Sequence, residues 1–207
     1  VINLDTGAIN HPQVQVNYVK ADKKLICSRG DVGVSQAPFN DEYHRLELKA
    51  DKFEWIMGQP KVEFKTILKD GSVLLYSENF FREFDYEKIQ GMQAIHPLAK
   101  IKQFCEQTGK RTFHLSEYVT WLQSKREYVR FQIVQLTDAG YLMLDSETDT
   151  IKVNEKLFNS VNAHMGRTDY DIIFFESIIE KRPNATLNLE NYHMDLEGVG
   201  RFRFSDS

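Results

Sequence analysis

The sequence predicts an α+β protein in which antiparallel β structure lies on both sides of a central helical unit. Apolar and polar residues alternate in the first part of the chain, which is typical of strands with one buried face. The spacing becomes helical in the middle and returns to alternation after Gly166. These changes predict a β-rich module over residues 1–90, a helical unit over 91–168 and further strands over 169–207.

The first part of the chain is predicted to form short strands. The stretch "QVQVNYV" (Gln13–Val19) alternates strictly, and "KLICS", "RLELKADKFEWIM" and "KVEFKTIL" follow it. Asp70 and Gly71 are a strong hairpin signal, because glycine accepts the positive φ that a type I′ turn requires. We therefore expect residues 1–81 to form an antiparallel meander with one buried face.

The helices of the central unit are indicated by residues typical of helix ends. Pro97 stands at a helix start and Gly109 at its end. Ser116 is expected to cap the following helix, "EYVTWLQ". Ser124 and Glu127 have the S-x-x-E spacing of a capping box for the next one. Five helical segments, counting "EFDYEKIQGM" before and "EKLFNSVNAHMG" after, account for most of the unit.

The end of the helical unit is predicted to contain a hairpin. Gly140 stands where a helix end needs a residue tolerant of positive φ. The stretches "YLMLD" and "TIKV" then predict two strands joined by the acidic turn "SETD", and Asn154 is expected to cap the last helix.

After Gly166 the chain returns to strand patterns in "YDIIFFESII", "ATLNLENYHMDLEG" and "GRFRFS". Two arrangements are compatible with this order. The helical unit is inserted into one sheet, or residues 169–207 begin the next β domain of a longer protein. The segment "ENFFREFDY" carries more aromatic rings than one face can bury, so some of them are expected to join the sheet to the helical unit.

Three consecutive stretches of the middle segment, "FHLSEYVTWLQ", "SKREYVRFQIVQLTDAG" and "YLMLDSETDTIKV", resemble a winged helix-turn-helix unit over residues 96–166. The resemblance implies that the helix at 124–139 would enter the major groove of DNA and that the hairpin at 141–153 would touch the backbone.

Over nearly its whole length the chain also resembles an internal region of large uncharacterised proteins of Bacteroidetes-type bacteria. The segments "SENFFREFDYEKIQGMQAIHPLAKIKQF" and "EKRPNATLNLENY" carry this second resemblance, which implies no function. It agrees with a chain that begins at Val1 without an initiator methionine or leader, so we expect a piece of a longer protein. The compartment stays open between cell envelope and cytoplasm.

The helix at 124–139 can be tested for DNA recognition from its two faces. At about 100° per residue, Val129, Ile133 and Leu136 share one direction and are expected to face the core. The opposite face carries Phe131 and Val134, with other side chains, Tyr128 among them, at its edge. Base readout needs Arg, Lys, Asn or Gln on that face. We therefore expect Tyr128, Phe131 and Val134 to contact protein.

A nucleic-acid-binding regulator is the alternative, with Lys125, Arg126 and Arg130 meeting phosphates. The charge balance argues against it. Residues 96–166 contain nine Lys or Arg and eight Asp or Glu, and the whole chain has a net charge of −4. The predicted turn also places three carboxylates, at Asp145, Glu147 and Asp149, where phosphates would approach.

The sequence provides little support for catalysis. The stretch "LDTGA" (Leu4–Ala8) resembles the active-site loop of aspartic proteases, which requires a second copy, and the chain contains no second one. The six histidines show no metal-ligand spacing, and there is no phosphate loop or dinucleotide fingerprint. The two cysteines, Cys27 and Cys105, are expected to be buried apolar residues.

These observations predict a non-catalytic structural or protein-interaction module of a larger bacterial protein, without a metal or cofactor. The expected partner is another domain of the same chain or another protein. No apolar run approaches the roughly 20 residues that span a bilayer.

Overall fold

The computed structural model describes residues 1–4, 7–67, 71–179 and 182–204. These residues contain sixteen strands and five α-helices. The strands are β1 (Ile2–Leu4), β2 (Gly7–Asn10), β3 (Gln15–Val19), β4 (Lys24–Ser28), β5 (Phe39–Asp41), β6 (Leu46–Lys49), β7 (Lys52–Ile56), β8 (Lys61–Lys65), β9 (Val73–Ser77), β10 (Thr112–His114), β11 (Leu142–Asp145), β12 (Thr150–Val153), β13 (Phe174–Ser177), β14 (Ala185–Asn188), β15 (Met194–Leu196) and β16 (Val199–Arg203). The helices are α1 (Glu83–Gln90), α2 (Pro97–Thr108), α3 (Leu115–Leu122), α4 (Arg126–Asp138) and α5 (Glu155–His164). The protein is therefore α+β with antiparallel sheets.

Two large sheets pack face to face. One has the order β1-β2-β5-β6-β9-β13-β16 and the other the order β15-β14-β8-β7-β4-β3. Their inner faces share one apolar core, in which the ring of Phe39 lies 5.7 Å from that of Phe53 and 5.9 Å from that of Phe64, edge to face in both cases. Such aromatic pairs add to the stabilisation from burial alone.

The expectation of a single meander over residues 1–81 is wrong, because these strands divide between the two sheets. The chain crosses between β6 and β7 at Ala50 and Asp51. Ala50 is fully buried, and the Asp51 carboxylate accepts hydrogen bonds from the Thr66 hydroxyl and the Ile67 amide at 2.8 and 2.7 Å. Alternation does not specify the strand with which a strand pairs, and it does not guarantee a buried side, because the alternating β3 has no buried residue.

The last strands pair with strands from the first part of the chain. β13 pairs antiparallel with β9, and β14 pairs antiparallel with β8. The helical unit is therefore an insertion between strands that belong to the same two sheets. Two earlier expectations, the Asp-Thr-Gly stretch at Asp5 and Thr6 and the turn at Asp70, fall outside the described residues.

The helical unit has its own core and its own small sheet. α2, β10, α3, α4, β11, β12 and α5 follow one another, and the strands form an antiparallel sheet in the order β10-β12-β11. This pairing confirms the predicted hairpin of "YLMLD" and "TIKV". Val34, from a 3-10 turn between β4 and β5, is buried in the helical core and links it to the sandwich.

Helix ends were predicted with mixed success. Pro97 begins α2, Gly109 ends it with a φ of 69°, and Gly140 follows α4 with a φ of 81°. Ser116 does not cap α3. His114 occupies that position, where its Nδ1 accepts from the Ser116 amide at 3.2 Å and its own amide donates to Glu117.

The capping box predicted for α4 is also wrong. The helix begins after Lys125, and no side chain caps it, because the αL turn at Gln123 places Ser124 one residue too early. Asn154 stands at the predicted position before α5, but its amide donates to the Gly140 carbonyl at 2.9 Å and does not cap the helix. Of the three predicted caps, only Asn154 is engaged by a tertiary contact, and the other two were decided within a few residues of the helix start.

The aromatic segment before α1 does join the sheet to the helical unit. Phe81 and Tyr86 are buried in the helical core, and the ring of Phe80 lies 4.8 Å from that of Tyr76 on β9. Phe84 is exposed.

One end of the sandwich contains a histidine that is held neutral. His11 Nε2 donates to the Ala37 carbonyl at 2.7 Å, and its Nδ1 accepts from the Gln13 amide at 3.1 Å. Burial lowers the pKa of His11 to about 4, assisted by the nearby Arg29 guanidinium. The unfolded chain therefore takes up a proton near the ordinary histidine pKa, whereas the folded protein does not.

We expect this histidine to make the protein less stable in mild acid. Because its folded pKa is depressed, stability falls as the pH drops from about 6.5 to about 4, with a loss of about 2 kcal/mol between pH 7 and 5. Urea unfolding at both pH values measures it, and His11→Gln should remove that part of the pH dependence. The exposed His193→Gln is the control, and an equal effect of both variants would contradict the prediction.

Candidate functional site

The two faces of α4 differ as the sequence predicted. Val129, Ile133 and Leu136 are buried in the helical core. On the other side Phe131 is 63% exposed, and Tyr128, at the edge of that face, is 52% exposed. The third candidate for protein contact, Val134, is only half-buried and packs against the core margin, so most of the available apolar surface comes from the two aromatic rings.

The loop between α1 and α2 lies beside α4. Gln132 of α4 donates to the side-chain carbonyl of Gln93 in that loop at 3.2 Å, which holds the loop beside the helix. Met92 next to Gln93, and Ile95 two residues further on, are exposed. We call Met92, Ile95, Tyr128 and Phe131 the α4 patch.

The basic residues at the start of α4 are already in contact with acid groups. Arg126 forms an ion pair with Asp149 of the β11–β12 turn, and Arg130 Nη2 lies 3.7 Å from the other oxygen of the same carboxylate. Lys125 is exposed just before the first turn of the helix. The hairpin tip therefore supplies an intramolecular counter-ion to two of the three cations.

The tip itself is negatively charged. Hydrogen bonds from the Thr148 hydroxyl at 2.7 Å and from the Glu147 amide at 2.9 Å lower the pKa of Asp145. The carboxylate is ionised at neutral pH and repels a phosphate.

A cleft of about 490 Å³ lies between the outer face of the seven-stranded sheet and the helical unit. Strands β6 and β9 form the floor of the cleft. Successive side chains of a strand point to opposite faces, so on β6 Leu48 is buried in the sandwich while Glu47 and Lys49 point out of it. The charged and polar side chains that line it are Glu47, Lys49, Tyr76, Arg82, Asp85, Lys88, Gln93, Gln132, Gln135, Tyr141 and Lys156. None of them was singled out from the sequence, although alternation at Leu46–Lys49 carried the signal.

A buried ion pair closes the inner end of the cleft. Lys156 Nζ lies 2.6 Å from Glu47 Oε2, donates to the Ala139 carbonyl at 2.9 Å and lies 4.8 Å from the centre of the Tyr141 ring. Burial alone would lower the pKa of Lys156, but the Glu47 carboxylate outweighs it and the pKa is raised. Gly140 also contacts this carboxylate, since a Cβ at that position would lie 2.4 Å from Glu47 Oε1.

Lys49 has a different environment in the same cleft. Its ammonium lies 5.3 Å from the centre of the Tyr76 ring, and no carboxylate of the described chain is within ion-pair distance of it. Burial lowers the pKa of Lys49 and the positive charge of Lys156 lowers it further, although the Glu47 and Asp138 carboxylates partly oppose this. Burial likewise raises the pKa of Tyr76.

The remaining reactive side chains have structural surroundings. Cys27 and Cys105 are free and buried, as expected, and burial raises the pKa of Cys105 to about 11, so that this thiol is a poor nucleophile at neutral pH. His44 is held between Asp41 Oδ2 and the Tyr192 carbonyl, at 2.6 Å each. In the ranges that the structure describes, no three His, Cys, Asp or Glu side chains are grouped so as to hold a metal ion. None of the helices in those ranges is long and apolar enough to cross a membrane.

Comparisons of the chain with family models, with curated proteins and with solved structures gave no match.

Proposed function

We propose that the chain is a non-catalytic structural or protein-interaction module of a larger bacterial protein, and that it contacts its partner through the α4 patch. The partner is another domain of the same protein or a second protein. Residues 96–166 are, in this proposal, a winged-helix-like unit used for packing and not for reading DNA.

The order of elements supports the winged-helix part of the proposal. A helix, a short strand, two helices, a two-stranded hairpin and a closing helix follow one another from α2 to α5, and β10 pairs with the hairpin. In such units the second helix of the helix-turn-helix pair is the one that docks into DNA, and α4 holds that position.

The exposure of Phe131 is the observation that carries the proposal. A phenylalanine that is 63% exposed beside an exposed tyrosine contributes apolar area that stays in contact with water until a partner covers it. Aromatic side chains at the centre of an interface often supply much of its binding energy. The half-exposed and charged residues around the patch, Arg130 and Glu127, match the polar rim of protein interfaces.

The nucleic-acid alternative has weaker support. Arg126 and Arg130 would have to exchange the Asp149 carboxylate for a phosphate, so each contact would gain less than one made by a free guanidinium. The side of α4 that would face the groove carries Phe131, whose side chain can neither donate a hydrogen bond to a base edge nor accept one from it.

Site-specific photo-crosslinking in the full-length protein tests the proposal. We expect a photoreactive phenylalanine analogue at position 131 to give a discrete adduct that maps to one surface of a neighbouring domain or partner. The same analogue at Tyr18, which is 49% exposed on β3, should give none. No adduct at 131, or equal adducts at both positions, would contradict the proposal.

A DNA titration addresses the alternative directly. We expect no binding to duplex DNA at low salt that weakens steeply as salt is added. Binding that does so, and that is lost in Arg126→Ala/Arg130→Ala, would replace the proposed function with the nucleic-acid one.

A further inference from the structure

We propose that the cleft between the seven-stranded sheet and the helical unit binds a small organic anion, whose carboxylate or phosphate group is held by the Lys49 ammonium. The inference does not depend on the proposed function, because the cleft and the α4 patch are formed by different side chains.

The cleft has the size and composition of a ligand site. Its volume of about 490 Å³ falls within the range of roughly 300–1,000 Å³ that is usual for small-molecule pockets. Apolar walls from Phe80, Phe81, Ile89 and Leu136 alternate with side-chain amides and charged groups. Pockets that orient a ligand combine an apolar lining with a few polar groups in this way.

The charges of the cleft favour an anion. Four cationic side chains line it, Lys49, Arg82, Lys88 and Lys156, against two carboxylates. Both carboxylates are already paired, Glu47 with Lys156 at 2.6 Å and Asp85 with Arg82 at 2.6 Å. Lys49 and Lys88 therefore leave the cleft with uncompensated positive charge, which attracts an anion from solution.

Lys49 is the cation best placed to hold that anion. It lies on β6 at the floor of the cleft, it is half-buried, and its ammonium faces the Tyr76 ring. The Glu47 carboxylate attracts Lys49 only from beyond ion-pair distance and is itself paired with Lys156. An anionic ligand therefore gains more from pairing with this partly desolvated ammonium than with an exposed lysine. The lowered pKa of Lys49 has the same origin, since burial and Lys156 both disfavour its charged form.

The surroundings of Lys49 also define the body of the ligand. The rings of Tyr76 and Phe80 lie 4.8 Å apart and form an aromatic wall next to the ammonium. Gln93 and Gln135 line the helical side and offer amide groups. The arrangement fits an anionic group attached to a small planar or apolar body, with room for neutral polar substituents.

An NMR titration of the full chain with benzoate and with phenyl phosphate tests the proposal, with phenol and inorganic phosphate as reference compounds. We expect at least one of the two aromatic anions to shift the signals of β6, β9 and α1, and to bind at least about tenfold more tightly than phenol. The stronger of the two identifies the anionic group as a carboxylate or a phosphate.

Lys49→Met removes the charge while keeping the length of the side chain, and we expect it to weaken binding by about tenfold or more. Lys20→Met, an exposed lysine in the β3–β4 turn, is the matched control and should change the dissociation constant by less than about twofold. Equal affinities in both variants, or shifts from inorganic phosphate that persist in Lys49→Met, would overturn the proposal.

A measurement on the unaltered protein keeps the test independent of how well Lys49→Met folds. With ¹³C-labelled lysine, the Lys49 signal is followed against pH with and without the aromatic anion. Binding at this ammonium must raise its pKa, because the anion favours the charged form. A Lys49 titration that the ligand leaves unchanged would contradict the proposal.

Discussion

Replacing Glu47 by alanine is expected to lower the free energy of unfolding by about 3 kcal/mol, because the buried Lys156 ammonium then has no counter-ion. The two side chains are 2.6 Å apart and join β6 of the sandwich to α5 of the helical unit. Lys156 would keep its hydrogen bond to the Ala139 carbonyl and its contact with the Tyr141 ring, neither of which supplies a full negative charge. Urea unfolding at neutral pH measures the loss.

A second ion pair between the same two parts of the protein gives the control. Lys152 Nζ lies 2.8 Å from Glu42 Oε1, but the Lys152 side chain is 50% exposed and that of Glu42 34%, so Glu42→Ala should cost less than about 1 kcal/mol. The double variant Glu47→Leu/Lys156→Met removes both buried charges and should recover most of the stability. A Glu47→Ala effect no larger than that of Glu42→Ala would show that the pair is not effectively buried.

The pair also has a defined pH dependence. Because the folded pKa of Lys156 is raised, its stabilising contribution is fully present below the unfolded lysine pKa of about 10.4. The contribution is lost as the pH rises through the higher, folded value. The Glu47→Ala difference should therefore shrink in strong alkali.

Truncating the two faces of α4 is expected to give opposite results. Ile133→Ala should cost about 3 kcal/mol, because the side chain is fully buried and its loss leaves a cavity in the helical core. Phe131→Ala, two residues away and on the exposed face, should change stability by less than about 0.5 kcal/mol. The same urea experiment measures both.

The comparison of Phe131→Ala with Ile133→Ala bears on function as well as on stability. A nearly neutral Phe131→Ala leaves the residue available for contact with a partner, which the crosslinking experiment then tests. A loss as large as that of Ile133→Ala would mean that Phe131 supports the fold, and the α4 patch would then be part of the core.

The sequence patterns that predicted the structure most reliably were those that depend only on residues close together in the chain. Pro97 and Gly109 limit α2 because proline is favoured at a helix start and glycine at a left-handed end. The helical spacing of Val129, Ile133 and Leu136 identified the buried face of α4, and the alternation in β11 and β12 identified the hairpin. Each of these properties follows from backbone geometry within a few residues.

Signals that require a distant partner were less informative. Asp149 was expected to repel phosphates from the hairpin, and the structure adds that it pairs with Arg126. The cleft was not predicted, because Glu47 and Lys156 are far apart in the chain, and nothing near either residue in the sequence indicates that its charged side chain is buried.

The sequence by itself therefore determined the α+β class, much of the succession of helices and strands, and the buried face of α4, since periodicity records which side of an element avoids water. Only the tertiary structure decided that the strands form two facing sheets, that the last strands complete them, and that Glu47, Lys49 and Lys156 meet in one cleft. The physical reason is that strand pairing and charge pairing join residues far apart in sequence, and no local pattern specifies which of many compatible partners will meet.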